Sequence, residues 1–203
     1  MSKVVIQGNA SGTGDFTIAA PNSNTDRTLT LPDEAGTVLT TSGVPSSAMP
    51  AGSVVQTVHT TVNGQSSHAV STNAWADVTG LSVSITPLSS SSKILVFFSL
   101  DVSNPVNMIR IRLVRNSTPI AIPTNIGSRN PSTGFSYQGS GLKMVPINKS
   151  HLDSPATTSS TTYKIQIGTN STSTLYVGMR SDDSDSLNFD RSVSSITLLE
   201  IAA

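Results

Sequence analysis

The sequence predicts an all-β protein, a short extended β arm followed by an antiparallel jelly-roll sandwich. Three observations carry that expectation. Apolar and polar residues alternate with a period of two, as in Leu81, Val83 and Ile85 against Ser82, Ser84 and Thr86, and again in Tyr163, Ile165 and Ile167 against Lys164 and Gln166. That period marks strands with one buried face. About eight or nine such runs follow one another after residue 53 with no helical periodicity between them, a number that fits one sandwich. Sixty of the 203 residues are Ser or Thr (35 and 25) and only 12% are charged. Such a composition hydrates outward strand positions without charge and departs from the usual ~25% of charged residues.

The N-terminal part holds four short strand candidates: Val4–Gln7, Phe16–Ala19, Arg27–Leu31 and Thr37–Thr40. Each offers at most two inward apolar side chains, so residues 1–41 cannot bury enough surface to stand alone. They are expected to lean on copies of themselves or on another protein. Residues 42–52, with two Pro, two Gly and three Ser, replace periodicity by turn chemistry and read as a linker to a domain spanning 53–203. The strands predicted there are Val54–Val62, Trp75–Val78, Leu81–Thr86, Lys93–Val102, Met108–Arg115, a weak Phe135–Val145, Thr162–Gly168, Thr174–Met179 and Ser192–Ile201. The polar stretches 63–73, 123–136 and 148–162 read as long loops, and loops on a rigid scaffold are where recognition resides.

Two strands depart from simple alternation. In the first, Ile94, Val96 and Phe98 face one way while Leu95 and Phe97 face the other; in the last, Ile196 and Leu198 oppose Thr197, Leu199 and Ile201. A solitary sandwich would leave such second faces as exposed apolar patches. With no helix to cover them, the economical cover is a second copy, so a homo-oligomer is expected, with Leu95, Phe97, Ile196 and Leu198 as interface candidates.

Composition also excludes classes of function. Twelve Lys and Arg balance twelve Asp and Glu, which predicts neither a nucleic-acid nor an anionic-membrane partner. The chain has no Cys, hence no thiolate nucleophile and no Cys-based zinc site. The longest apolar run, Ile94–Phe98, is too short for a membrane span or a signal h-region, and synthesis in a cytoplasm is expected. The glycine-rich Gly8–Gly14 lacks the Lys of a phosphate-cradling loop and reads as a hairpin turn.

His59, His68 and His151 lack ligand spacing, and no Ser stands in a nucleophile elbow, so neither a metal, a cofactor nor catalysis is expected. The cluster Asp182, Asp183, Asp185 and Asp190 lacks the Gly and terminal Glu of a calcium loop and reads as solvated. Arg110 and Arg112 share one strand face and read as a solvated outer face, with intersubunit pairing to carboxylates, or a glycan or acidic-ligand contact, as the alternatives. Trp75 reads as core packing at a strand start rather than a sugar platform.

Gly14–Asn22 (GDFTIAAPN) followed by Arg27–Leu39 (RTLTLPDEAGTVL) resembles a motif common near the starts of bacteriophage tail-fibre and related virion proteins. Val54–Val58, Trp75–Pro87, Ser92–Val96, Thr162–Gln166 and Ser194–Ile201 are similar to the globular heads of phage virion proteins, which resemble trimeric tumour-necrosis-factor-like jelly rolls. The resemblance spans most of the chain outside the middle loops. It implies a noncatalytic homotrimer residing in the virion, fastened to other phage tail or capsid proteins by its arm, with a head that contacts a host-surface glycan or protein. The alternative is a capsid decoration trimer whose arm ties neighbouring coat subunits together.

Overall fold

The computed structural model describes residues 48–203 apart from 106–107, 125–126 and 138–142, and, in the arm, residues 10–15, 17, 22–26, 28 and 30. The chain divides into two units, Met1–Leu39 and Thr40–Ala203. Of the four strands expected in the arm, Val4–Gln7 and Thr37–Thr40 lie outside the described residues, as do all but Thr17 of Phe16–Ala19, all but Thr28 and Thr30 of Arg27–Leu31, and the first part of the linker; of Gly8–Gly14, residues 10–14 are described, with a turn at Ala10 and Ser11.

The second unit is all strand: β1 (Val54–Val62), β2 (Ser66–Val70), β3 (Trp75–Ile85), β4 (Lys93–Ser103), β5 (Met108–Arg115), β6 (Thr118–Ile120), β7 (Gly134–Tyr137), β8 (Val145–Asp153), β9 (Thr161–Gly168), β10 (Ser173–Val177) and β11 (Ser194–Ile201). They form two antiparallel sheets. In the first, β1 pairs with β11, β11 with β4, and β8 with the far side of β4. Val102 pairs with both Val177 of β10 and Val145 of β8, so β10 continues the line of β11 along the same edge of β4, and β2 flanks β10 as β1 flanks β11. In the second sheet, β3 pairs with β9 and β9 with β5, while β7 and β6 lie end to end along the other edge of β5. The chain changes sheet between β2 and β3, β3 and β4, β4 and β5, β7 and β8, β8 and β9, and β9 and β10. That is a β-sandwich whose connectivity is consistent with a jelly roll.

The core lies between the sheets. Ile94, Val96, Phe98, Leu100 and Val102 of β4 meet Ile109, Ile111 and Leu113 of β5 and Tyr163, Ile165 and Ile167 of β9, with Ile196 and Leu198 closing it from β11. Truncating any of these would cost about 2–5 kcal/mol. The two segments expected at Trp75–Val78 and Leu81–Thr86 are one strand with a bulge: pairing to β9 shifts between Asp77 and Ser82. Gly80, at φ +81°, supplies the left-handed residue that such a kink needs.

The burial pattern separates the two apolar faces that alternation had found. Ile196 and Leu198, expected at an oligomer interface, are wholly covered by the chain's own core. Their assignment is corrected: the outward members of β11 are Thr197, Leu199 and Ile201. Leu95 and Phe97 do point outward, as expected.

Candidate functional site

Two outward sheet faces are the candidate surfaces, and their chemistry differs. On the first sheet, register aligns Thr57, Leu199, Leu95 and Leu152 in one row across β1, β11, β4 and β8. The next row is His59, Thr197, Phe97 and Ser150; the one beyond is Thr61, Ser195, Ser99 and Asn148. Val54 pairs with Ile201 at the apolar end. Val54, Phe97 and Leu152 are 42–49% exposed, and Leu95, Leu199 and Ile201 are half-buried.

The face therefore grades from aliphatic to hydroxyl along β4. By alternation its charged members on β4 are Lys93 and Asp101, one at each end. Beside Phe97 lies a shallow hollow of about 350 Å³ lined by Ser99, Asn148, Lys149, Ser150, Ser195 and Thr197. His59 crosses the hydroxyl half: its Nδ1 lies 2.7 Å from Thr197 Oγ1 and its Nε2 2.6 Å from Thr61 Oγ1.

The second sheet's outward face is polar and cationic. Trp75, expected in the core, lies here instead, because its neighbours Ala76 and Val78 take the inward positions of β3. Its ring lies against Gly168, where an added Cβ would stand 3.0 Å from Trp75 Cε3 and 2.9 Å from the Ala74 carbonyl oxygen. The Arg112 guanidinium sits over the indole at 4.4 Å, that of Arg110 at 5.9 Å, both within cation–π range.

A relay of side chains runs along the adjoining row. Arg112 Nε donates to Gln166 Oε1 (2.6 Å), Gln166 Nε2 to Asp77 Oδ1 (2.5 Å), and Lys164 Nζ to Asp77 Oδ2 (2.7 Å). The Lys164 hydrogen bond, joined by that of Gln166 and by the charges of Lys164 and Arg112, holds the Asp77 carboxyl below the usual range against the opposing effect of burial. Gly168→Ala is expected to push the indole off this platform and destabilise the fold by about 1–3 kcal/mol. Urea denaturation read by Trp75 fluorescence checks it, since Trp75 is the only tryptophan; an unshifted midpoint contradicts the packing.

Arg110, expected on a solvated face, is only 4% exposed. Its Nη2 donates to Asn73 Oδ1 at 2.8 Å and to the Thr169 carbonyl oxygen, and its Nε has no partner. Asn73 Oδ1 also accepts from Asn130 Nδ2 (3.2 Å), which ties the 121–133 connection to the turn before β3. Nothing in the alternation of β5 signals this burial; it follows from Trp75 and Asn73 closing over the side chain.

The remaining expected residues are scattered. His59 is on the outward face of β1, His68 is buried on β2 with Nε2 2.8 Å from Ser66 Oγ, and His151 is on β8. Among the described residues no three His, Cys, Asp or Glu side chains are grouped to hold a metal. In the acidic loop, Asp182 is paired with Arg180 (2.7 Å) and Asp183 with Arg191 (2.6 Å), so two of its carboxylates face arginines. Of the three expected loops, 63–73 contains β2 and 148–162 contains most of β8. Comparison with protein-family models finds no match to the chain, and comparison with curated proteins finds none either.

Proposed function

We propose that the chain is a noncatalytic structural protein of a bacteriophage particle, an appendage assembled as a homotrimer, docked by its N-terminal arm and presenting the sandwich to the host surface. The observation that carries the reading is the outward face of the first sheet, where Val54, Leu95, Phe97, Leu152, Leu199 and Ile201 adjoin one another, with Lys93 paired to Ile201 at the end of the patch. A cyclic assembly brings the same surface from every copy to its axis. A face of aliphatic and hydroxyl groups, with its β4 charges only at the ends, meets its own copies without like-charge repulsion. The resemblance of the arm segments to phage tail-fibre proteins supports the particle as the place of assembly.

Antibody labelling of intact particles is the test. Signal confined to the tail supports the appendage, signal spread over the shell replaces it by a capsid decoration trimer, and absence from particles refutes both. Removing residues 1–41 is expected to leave a soluble trimeric head that no longer enters particles, read by sedimentation and by particle composition. Unchanged incorporation would move the docking role out of the arm.

A further inference from the structure

The zero net charge conceals a segregation. Between Asp101 and Asp153 the chain carries no Asp or Glu, yet it carries Arg110, Arg112, Arg115, Arg129, Lys143 and Lys149. Arg115 is committed to Asp153, and Arg112 to Gln166 and the indole. Arg110 and Arg129 line one cavity of about 370 Å³ together with Met108, Asn130, Ser132, Phe135 and Asn170. An adjoining groove of about 720 Å³ shares Arg129, Asn130, Ser132 and Phe135 and adds Lys149. Among the described residues no carboxylate lines either space.

Arg110 is the informative member. A buried cation is ordinarily paired, because desolvation costs several kcal/mol per ion. Its hydrogen-bond acceptors here, Asn73 Oδ1 and the Thr169 carbonyl oxygen, are both neutral, and Nε is unsatisfied. Burial alone pulls its pKa down, with no anion acting against it. At Arg110 a wall of the cavity thus holds positive charge that no carboxylate hydrogen-bonds among the described residues. Opposite in the register, Phe135 pairs with Arg110 across β5 and β7 and is 70% exposed, an apolar ring facing solvent beside a cationic wall. Neutral hydrogen-bonding side chains, Asn130, Ser132 and Asn170, complete the lining. One or two guanidinium groups, one aromatic face and several amide and hydroxyl groups match a ring that carries one carboxylate and several hydroxyls. A nucleic-acid backbone would ask for a row of cations along a track and for repeated stacking faces.

We propose that this cavity binds an acidic saccharide, its carboxylate directed to Arg110 and Arg129, its ring face on Phe135 and its hydroxyls on Asn130, Ser132 and Asn170. The site deepens the appendage reading and rests on it for the source of the ligand, a host-surface polysaccharide.

Calorimetric titration of the full chain with oligosaccharides of N-acetylneuraminate, glucuronate and galacturonate, each against its carboxyl-reduced counterpart, tests the site. At least one acidic sugar is expected to bind, with its reduced form weaker by about tenfold or more. Arg129→Gln and Phe135→Ala, both outside the core, are expected each to weaken it about tenfold while sedimentation stays unchanged. No binding by any of the three at millimolar concentration, equal binding of reduced forms, displacement by inorganic phosphate at the sugar's own concentration, or indifference to both substitutions overturns the proposal. A trimer present on particles that binds none of the sugars removes the cavity and leaves the appendage. Binding by a chain absent from particles keeps the cavity and removes the appendage.

Discussion

Phe97→Asp is expected to leave the sandwich folded and to abolish assembly. Within one chain Phe97 is 42% exposed, between Thr197 of β11 and Ser150 of β8. A carboxylate there can stay in water, so the fold should lose no more than about 1 kcal/mol. At the axis of the proposed trimer the same substitution buries three like charges, with Lys149 lining the hollow beside Phe97 and Lys93 and Asp101 at the ends of the face. An unpaired buried charge costs about 3–5 kcal/mol, and here it recurs in every subunit. Sedimentation should show folded monomers at micromolar concentration, with a denaturation midpoint below that of the parent by the stabilisation that assembly adds. A trimer that survives would put the interface elsewhere. Ile196→Asp, by contrast, should unfold the chain, because that position belongs to the core.

The second large effect concerns the seam between the sheets. Asp153, at the end of β8 in the first sheet, accepts two hydrogen bonds from Arg115 Nη1 of β5 at 2.9 Å and one from Tyr163 Oη of β9 at 2.7 Å. Tyr163 is wholly buried. Burial, then the hydrogen bond and charge of Asp153, push its phenol far above the usual range, with Arg115 acting weakly in the other direction. The hydroxyl is therefore a permanent donor, and its acceptor joins one sheet to the other.

Asp153→Ala strands both the phenol and the guanidinium, and about 3–5 kcal/mol of stability should be lost. Arg115 is partly exposed and can turn to water, which favours the lower end of that range. Tyr163→Phe removes one bond and leaves the ion pair, so about 1 kcal/mol is expected. Urea midpoints of the two variants check both; an Asp153→Ala protein as stable as Tyr163→Phe would mean that the carboxylate does not hold the seam.

Much of the fold was legible because its central strands keep a strict period. β1 and β5 have the bounds that alternation predicts, and β4, β9, β10 and β11 differ by a few residues at their ends. The misses are edge strands. β8 places only Ile147 fully in the core among apolar residues, and between it and Leu152 stand Asn148, Lys149, Ser150 and His151, so its sequence resembles a loop. Edge strands carry charge and Pro for a reason, since open hydrogen-bonding edges invite aggregation. β2 and β6 are too short and polar to show a period. Periodicity identified two strands apolar on both faces but could not tell which face was inward, and that ambiguity put Ile196 and Leu198 on the wrong side. The burial of Arg110 was hidden for another reason: alternation puts it on the outward face of β5, and the groups that cover it, Trp75 and Asn73, come from a distant part of the chain.

The segment between β10 and β11 has a consequence of its own. Gly178 is tied at both sides, its N–H to the Asp101 carbonyl oxygen and its carbonyl oxygen to the Ser192 N–H. Just beyond, Arg180 grips Asp182 and stacks over Phe189, and Arg191 grips Asp183. The stem of this excursion is clamped, while its tip, with Leu187 fully exposed, lies in solvent. Exchange at residues 184–188 leaves the ladder of β11 against β4 untouched. The tip is accordingly a place where foreign peptides can be grafted at no expense to the scaffold beneath.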